Sequence, residues 1–265
     1  MHIRTLDAVD KKHRLEVGGK AAVLGELLQA KHRVPPGFVI TTLSEQKLTP
    51  TLSKAILTQY DKLGLDHVAV RSSGAAEDGQ DQSWAGQFAT FLHVQRDALL
   101  DAVHACWVSA DAARVAAYAN GARIGGLAVL IQKMVHSDIA GVAFSINPIT
   151  HAAGEVMIEA VYGLGELLVQ GLATPDNYCT DKATGRLLQA EIAERPTLLT
   201  FEGGRTIEIA VTLHLQRKPT LSAAHLKELT ALVRRIEAHY GFPVDIEWAY
   251  EDDQLYLLQA RPITA

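Results

Sequence analysis

The stretch from Val244 to Pro262, VDIEWAYEDDQLYLLQARP, restricts the local fold more than any other part of the chain. Two β-prone runs, Val244 to Tyr250 and Leu255 to Ala260, are rich in Val, Ile, Trp, Tyr and Leu. They flank the polar Glu251-Asp252-Asp253-Gln254, a pattern that predicts a β-hairpin. Side chains alternate along a strand, so Asp245 and Glu247 share one face of the first run, and Gln259 and Arg261 share one face of the second. A loop with an odd number of residues, centred on Asp253, sets Glu247 opposite Gln259 and Asp245 opposite Arg261. Ile246, Trp248, Tyr256 and Leu258 are then expected to face a core, leaving the four polar side chains on a lined cleft. A cross-strand Asp-Arg pair on an exposed hairpin accounts for the same residues equally well.

The 265 residues are enough for a large core and for two lobes. A formal net charge of −5, with no basic run, argues against a nucleic-acid partner, so an anionic ligand has to be met by local groups. Cys106 and Cys179 lie far apart, with no CxxC or Cys/His spacing, which argues for a reducing compartment and against a structural zinc site. The amino terminus is too charged for a signal peptide, and no apolar run approaches the roughly 18 residues of a membrane span. The expected location is the cytoplasm, with no membrane partner.

Several further stretches bear on chemistry. Glu16-Val17-Gly18-Gly19-Lys20 precedes AAVLGELLQA, whose apolar spacing predicts a helix starting near Lys20. A lysine in a first turn opposes the helix dipole, and a nearby anion would explain it. A flexible turn with a surface lysine explains it too. The stretch is no Walker A loop, since Ala21 follows the lysine where Ser or Thr would stand and no glycine lies five residues before Gly19. Val34-Pro35-Pro36-Gly37-Phe38 reads as a rigid turn entering a strand. Val68 to Val70 reads as a buried strand with Arg71 directly after it, followed by a small, hydroxylic loop through Gln87 whose N–H groups could nest an anion. Arginine suits phosphate because its planar fork donates two hydrogen bonds at once. Ser72 and Ser73 are assigned to turn chemistry, because no Ser/His/Asp arrangement accompanies them. Asp97 to Asn120 is expected as one or two helices, and Leu127 to Val135, Ala140 to Ser145 and Val156 to Val161 as strands. Gly163-Leu164-Gly165 lacks the third glycine of a dinucleotide fingerprint, which argues against a Rossmann site. Residues 190–218 are polar and poorly periodic, and Leu221 to Tyr240 is an amphipathic helix.

The blocks VGGKAAVLGEL, VPPGFVIT, VAVRSSGAAEDGQDQSWAGQ, IQKMV, AGVAFSINP, EAVYGLGE, TPDNY and VDIEW followed by LLQARPIT occur in this order over nearly the whole chain. With them the chain resembles the amino-terminal nucleotide-binding region of the pyruvate phosphate dikinase and phosphoenolpyruvate synthase family, which also includes rifampin phosphotransferase. The resemblance implies an α+β, ATP-grasp-like fold, two lobes with mixed or antiparallel sheets clasping a nucleotide, divided here as residues 1–130 and 131–265. It implies that Lys20, Arg71 and Arg261 hold the triphosphate and act in catalysis. Gly86 and Thr90 would lie on or beside a loop closing over it. Gln132, with the backbone of Met134 and Val135, would meet the adenine. Glu247 and Gln259 would ligate Mg²⁺, with Asp245 beside them. In the family the β-phosphoryl of ATP passes to a histidine on a swivelling domain and then to a small-molecule acceptor, leaving AMP and phosphate. No such domain follows LQARPIT in this sequence, so the histidine is expected on a separate domain or protein and the acceptor is expected to bind elsewhere. His151, in Thr150-His151-Ala152-Ala153, falls where the family has an ordinary loop and is not expected to be that histidine. The alternatives are a stand-alone ATP-grasp ligase or small-molecule kinase, and a non-catalytic nucleotide-binding module.

Overall fold

The apolar runs expected as strands form two separate antiparallel sheets in the computed structural model, which describes residues 2–44, 46–74, 89–119, 126–165, 168, 171, 173–202 and 205–263. For residues 110–119, 198–202, 205–206 and 215 it describes the backbone alone. The chain divides into two compact units, Met1–Met134 and Val135–Ala265. A division after residue 130 would cut through the strand Leu127–Lys133.

In the first unit β1 (Ile3–Thr5), β2 (Gly37–Ile40), β3 (Val68–Gly74), β4 (Thr90–Val94) and β5 (Leu127–Lys133) take the spatial order β1-β2-β5-β3-β4. The central β5 is buried from Leu127 through Gln132, as a strand covered on both faces requires. One face carries Phe38, Ile40, Val68, Val70, Val129 and Ile131 against α2 (Pro50–Lys62) and α3 (Leu99–Ala119), with Ile56, Tyr60, Val103 and Trp107 filling the core. The residues that alternate to the other face, among them Arg71 and Ser73, meet α1 (Arg14–Gln29), where the Ala21 amide donates to Ser73 Oγ.

One expectation is corrected here. Arg71 does not follow its strand: β3 continues through Gly74, and Ser72 and Ser73 are buried strand residues opposite Val129 and Ala128. Serine has little β-propensity of its own, but β5 supplies ladder partners along the whole length, and small side chains leave room for α1. The helix expected to start near Lys20 does so, within the longer α1. Gly18 (φ 79°, ψ 170°) breaks it, and the helical segment carrying Lys20 starts at Gly19.

The second unit is a six-stranded sheet in the order β13-β12-β6-β7-β8-β9. Its strands are β6 (Ile139–Phe144), β7 (Glu155–Tyr162), β8 (Asp176–Asp181), β9 (Leu187–Glu191), β12 (Val244–Glu251) and β13 (Gln254–Pro262). The long helix of this unit, α4 (Ala223–Tyr240), starts on a Ser222/His225 capping box and stops at left-handed Gly241. Its buried Leu226, Leu229, Val233 and Ile236 cover one face of the sheet, where the Thr180 and Thr230 hydroxyls meet at 2.8 Å. The polar segment 190–218 holds a separate hairpin, β10 (Thr197–Glu202) with β11 (Arg205–Ala210). Asp176, fully buried, ties its flanks to the sheet by accepting from Arg195 Nη1, the Ala193 amide and both the amide and the hydroxyl of Thr220.

Candidate functional site

In the first unit the expected nucleotide residues fall on one side of the sheet. Arg71 is opposite Leu130 on β5 and Thr90 on β4, while Gln132 is opposite Ala69 and Gly37. Cross-strand neighbours share a face, so Arg71, Thr90 and Gln132 lie on the side that α1 packs against, and Lys20 is in the first turn of its second segment. Arg71 Nε is a buried nitrogen with no hydrogen-bond partner among the described residues, a state that a bound anion relieves. Thr90 is exposed on edge strand β4. Gln132 is buried, and its Nε2 donates to Pro35 O at 3.1 Å, pinning the VPPGF turn. The Met134 amide donates to His67 O at 2.9 Å. Gly86 lies outside the described residues.

The second unit supplies the other set. The hairpin pairs Asp245 with Arg261 and Glu247 with Gln259, the pairs that alternation led one to expect, but it reaches them differently. The turn has two residues, Asp252 (φ 50°) and Asp253 (φ 57°), both left-handed as a type I′ hairpin needs. A β-bulge then makes Leu258 the extra residue, since Trp248 pairs with Leu257 while Glu247 pairs with Gln259. The even turn and the bulge together restore the register of an odd loop. They also correct the expected core: Leu255 and Leu257 are buried on β13, while Tyr256 and Leu258 lie only partly buried against Val135, Ala140 and Ala249.

The polar face is the one α4 leaves uncovered, because Asp245 and Glu247 alternate with the buried Ile246 and Trp248. Arg261 grips Asp245 in a two-pronged ion pair, Nη2 to Oδ2 at 2.8 Å and Nε to Oδ1 at 3.3 Å, with both side chains partly buried. The cross-strand pair and the lined face are therefore the same arrangement. Gln259 is only 4% exposed, an amide held at the floor of that face.

Sequence reasoning missed Glu159. It stands across from Val142, which stands across from Glu247, so the two carboxylates occupy one row about 10 Å apart at the spacing of neighbouring strands. Burial raises the Glu159 carboxyl above its ordinary range. The signal was present: in EVMIEAVY, Val156, Ile158 and Ala160 are buried, while Glu155, Met157 and Glu159 hold the opposite parity. Among the described residues no group of three or more His, Cys, Asp and Glu side chains could hold a metal ion. The oxygen donors of Glu247 and Gln259 still suit Mg²⁺, which takes one or two protein ligands beside phosphates and water.

Residues 42–265 match the pyruvate phosphate dikinase AMP/ATP-binding domain family, and the chain belongs to it. Lys20 precedes the matched span, but relatives align over nearly the full chain. A probable phosphoenolpyruvate synthase of Methanothermobacter thermautotrophicus is 36% identical over 299 residues, covering 93% of this chain and 44% of its own length. The phosphoenolpyruvate synthase of Aeropyrum pernix is 30% identical, covering 98% and 42%. The prodigiosin synthesizing transferase PigC of Serratia marcescens is 36% identical, covering 97% and 32%. The chain thus spans less than half the length of these relatives. Among solved structures, PH1788 from Pyrococcus horikoshii is similar at 14% identity over 91% of this chain and 88% of that one, with a TM-score of 0.48, which carries no argument about the site.

Proposed function

We propose that this domain binds Mg-ATP in the cytoplasm and serves as the ATP-cleaving component of an AMP-forming phosphotransferase, its β-phosphoryl group passing to a histidine on a separate domain or protein. The observation that carries the reading is Glu247 directly opposite Gln259, flanked by the Asp245–Arg261 pair, on the sheet face that α4 leaves uncovered. Phosphoryl transfer requires mainly positioning and charge stabilisation, since the transferring group brings its own electrophile.

Each residue then has a physical task. Lys20 and Arg71 bring positive charge from one sheet face of the first unit, and Arg71 has a buried N–H to donate. Arg261 adds a guanidinium whose plane Asp245 fixes through two contacts, so little freedom is lost when it meets phosphate. Glu247 and Gln259 would hold Mg²⁺, which when bound neutralises charge on the phosphate oxygens. Val135 opens an apolar patch with Ala140, Ala249, Tyr256 and Leu258, a surface suited to a base. Gly86 and Thr90 would close over the phosphates.

The test is to incubate the chain with Mg-ATP and a histidine-bearing partner domain of the family, and to follow phosphorus products by NMR. AMP and a phosphorylated histidine are expected, and Glu247→Ala should abolish both. ADP as the sole nucleotide product would replace the reading with a direct kinase or ligase. Tight ATP binding without turnover under any of these conditions would make the domain a nucleotide-binding module.

A further inference from the structure

The sequence assigned Ser73 to turn chemistry and gave it no task, yet it is fully buried on β3 and reaches α1. The first N–H groups of a helix have no partner within it, and the N-cap side chain normally accepts from the second or third residue. In the segment that carries Lys20 the N-cap is Gly18, which has no side chain, and the third residue is Ala21. The Ala21 amide donates instead to Ser73 Oγ at 3.2 Å, 52 residues away in sequence.

Gly18 could not carry a cap of its own. A Cβ there would lie 2.0 Å from the Ser73 carbonyl oxygen and 2.3 Å from Ser73 Oγ, and its φ of +79° with ψ near 170° is a conformation open essentially to glycine alone. The missing side chain of one motif thus makes the space that the hydroxyl of the other fills. Ser73 is itself fixed, opposite Ala128 on the central strand β5 and two residues beyond Arg71, on the same strand face.

We propose that Ser73 is a positioning residue: its hydroxyl caps, from another element, the helical segment that presents Lys20, and so sets the lysine in register with Arg71. This rests on the reading of Lys20 and Arg71 as ATP residues. The backbone of Gly18, Gly19 and Lys20 is then held by a strand that also carries the arginine, and the two cations move as one body.

A double-mutant cycle on the full chain, read as Mg-ATP affinity by calorimetry, tests the proposal. Ser73→Ala is expected to weaken binding about fivefold, which is about 1 kcal/mol and the usual cost of a lost cap. In a Lys20→Met background it should have no further effect, and Ser73→Thr should restore most of the loss. If Lys20→Met weakens binding but Ser73→Ala either leaves affinity unchanged or adds in full to Lys20→Met, the positioning role is wrong and the ATP reading stands. If the unaltered chain binds no Mg-ATP, or Lys20→Met binds as well as it does, the ATP reading fails and the proposal with it. Amide exchange in the unaltered protein needs no variant to fold: Ala21 should be strongly protected, and rapid exchange there would overturn the cap.

Discussion

Glu159 carries a conflict between burial and charge that can be measured directly. Its carboxyl is raised above the ordinary range by desolvation alone, with no compensating cation among the causes. The folded state therefore holds the proton to higher pH than the unfolded chain does, so stability is greatest below the unfolded value and falls as pH rises through the raised folded value. Glu159→Gln removes the titration. Urea midpoints compared from pH 4 to 7 should show the variant gaining on the unaltered protein as pH rises, and parallel curves would count against the buried carboxyl. Gly18 offers a second measurement, in which Gly18→Ala forces a side chain into a positive-φ conformation and onto the Ser73 carbonyl. We expect a loss of roughly 3 kcal/mol or more in urea unfolding, because strain and collision act together. Both residues were within reach of the sequence only in part. The double glycine before Lys20 was visible, but the partner that makes Gly18 necessary lies on a strand whose extent β5 decides. Glu159 required its strand to be read for parity and not as a motif alone.

The hairpin of β12 and β13 shows how an element can be legible for an incomplete reason. The polar pairs followed from alternation and an odd loop, whereas the protein uses a two-residue turn and a bulge at Leu258 whose effects on register cancel. The adjacent Leu257 and Leu258 break the alternation and are the only trace of the bulge in the sequence. A bulge reflects what both neighbouring strands require, which a local pattern does not encode. α4 was legible throughout, since its 3.6-residue apolar stripe and terminal Gly241 are local. By contrast, β10 and β11 were not, because that hairpin is anchored by Asp176 and Arg195 through contacts distant in sequence. Deleting Leu258 tests the bulge. Without it, Leu257 stays opposite Trp248 and Gln259 follows directly opposite Glu247, so the ladder runs uninterrupted and the polar pairs keep their register. Mg-ATP binding should survive the deletion, weakened only as far as the loss of the Leu258 side chain from the apolar patch requires, and its complete loss while circular dichroism still reports a β-rich fold would mean that the bulge itself shapes the site.

For the whole chain, the balance of charge sets a condition on any nucleotide it takes. The formal net charge is −5, and Asp245, Glu247 and Glu159 stand on the face assigned to the phosphates. Free ATP meets those carboxylates with its full charge, whereas Mg²⁺ lowers the ligand's charge and gives Glu247 a partner of opposite sign. Affinity should therefore depend on the metal more steeply than the arginines and the lysine alone would dictate. A ligand present at 100 times its dissociation constant stabilises the folded state by about 2.7 kcal/mol. In a chain of this size that raises the melting midpoint by roughly 5–10 °C. We expect a shift of that order with Mg-ATP, a shift of no more than a third as much with ATP and EDTA, and the loss of the difference in Glu247→Ala. Equal shifts with and without the metal would show that Glu247 and Gln259 do not hold it. The polar row on the second sheet would then serve the nucleotide by hydrogen bonds alone.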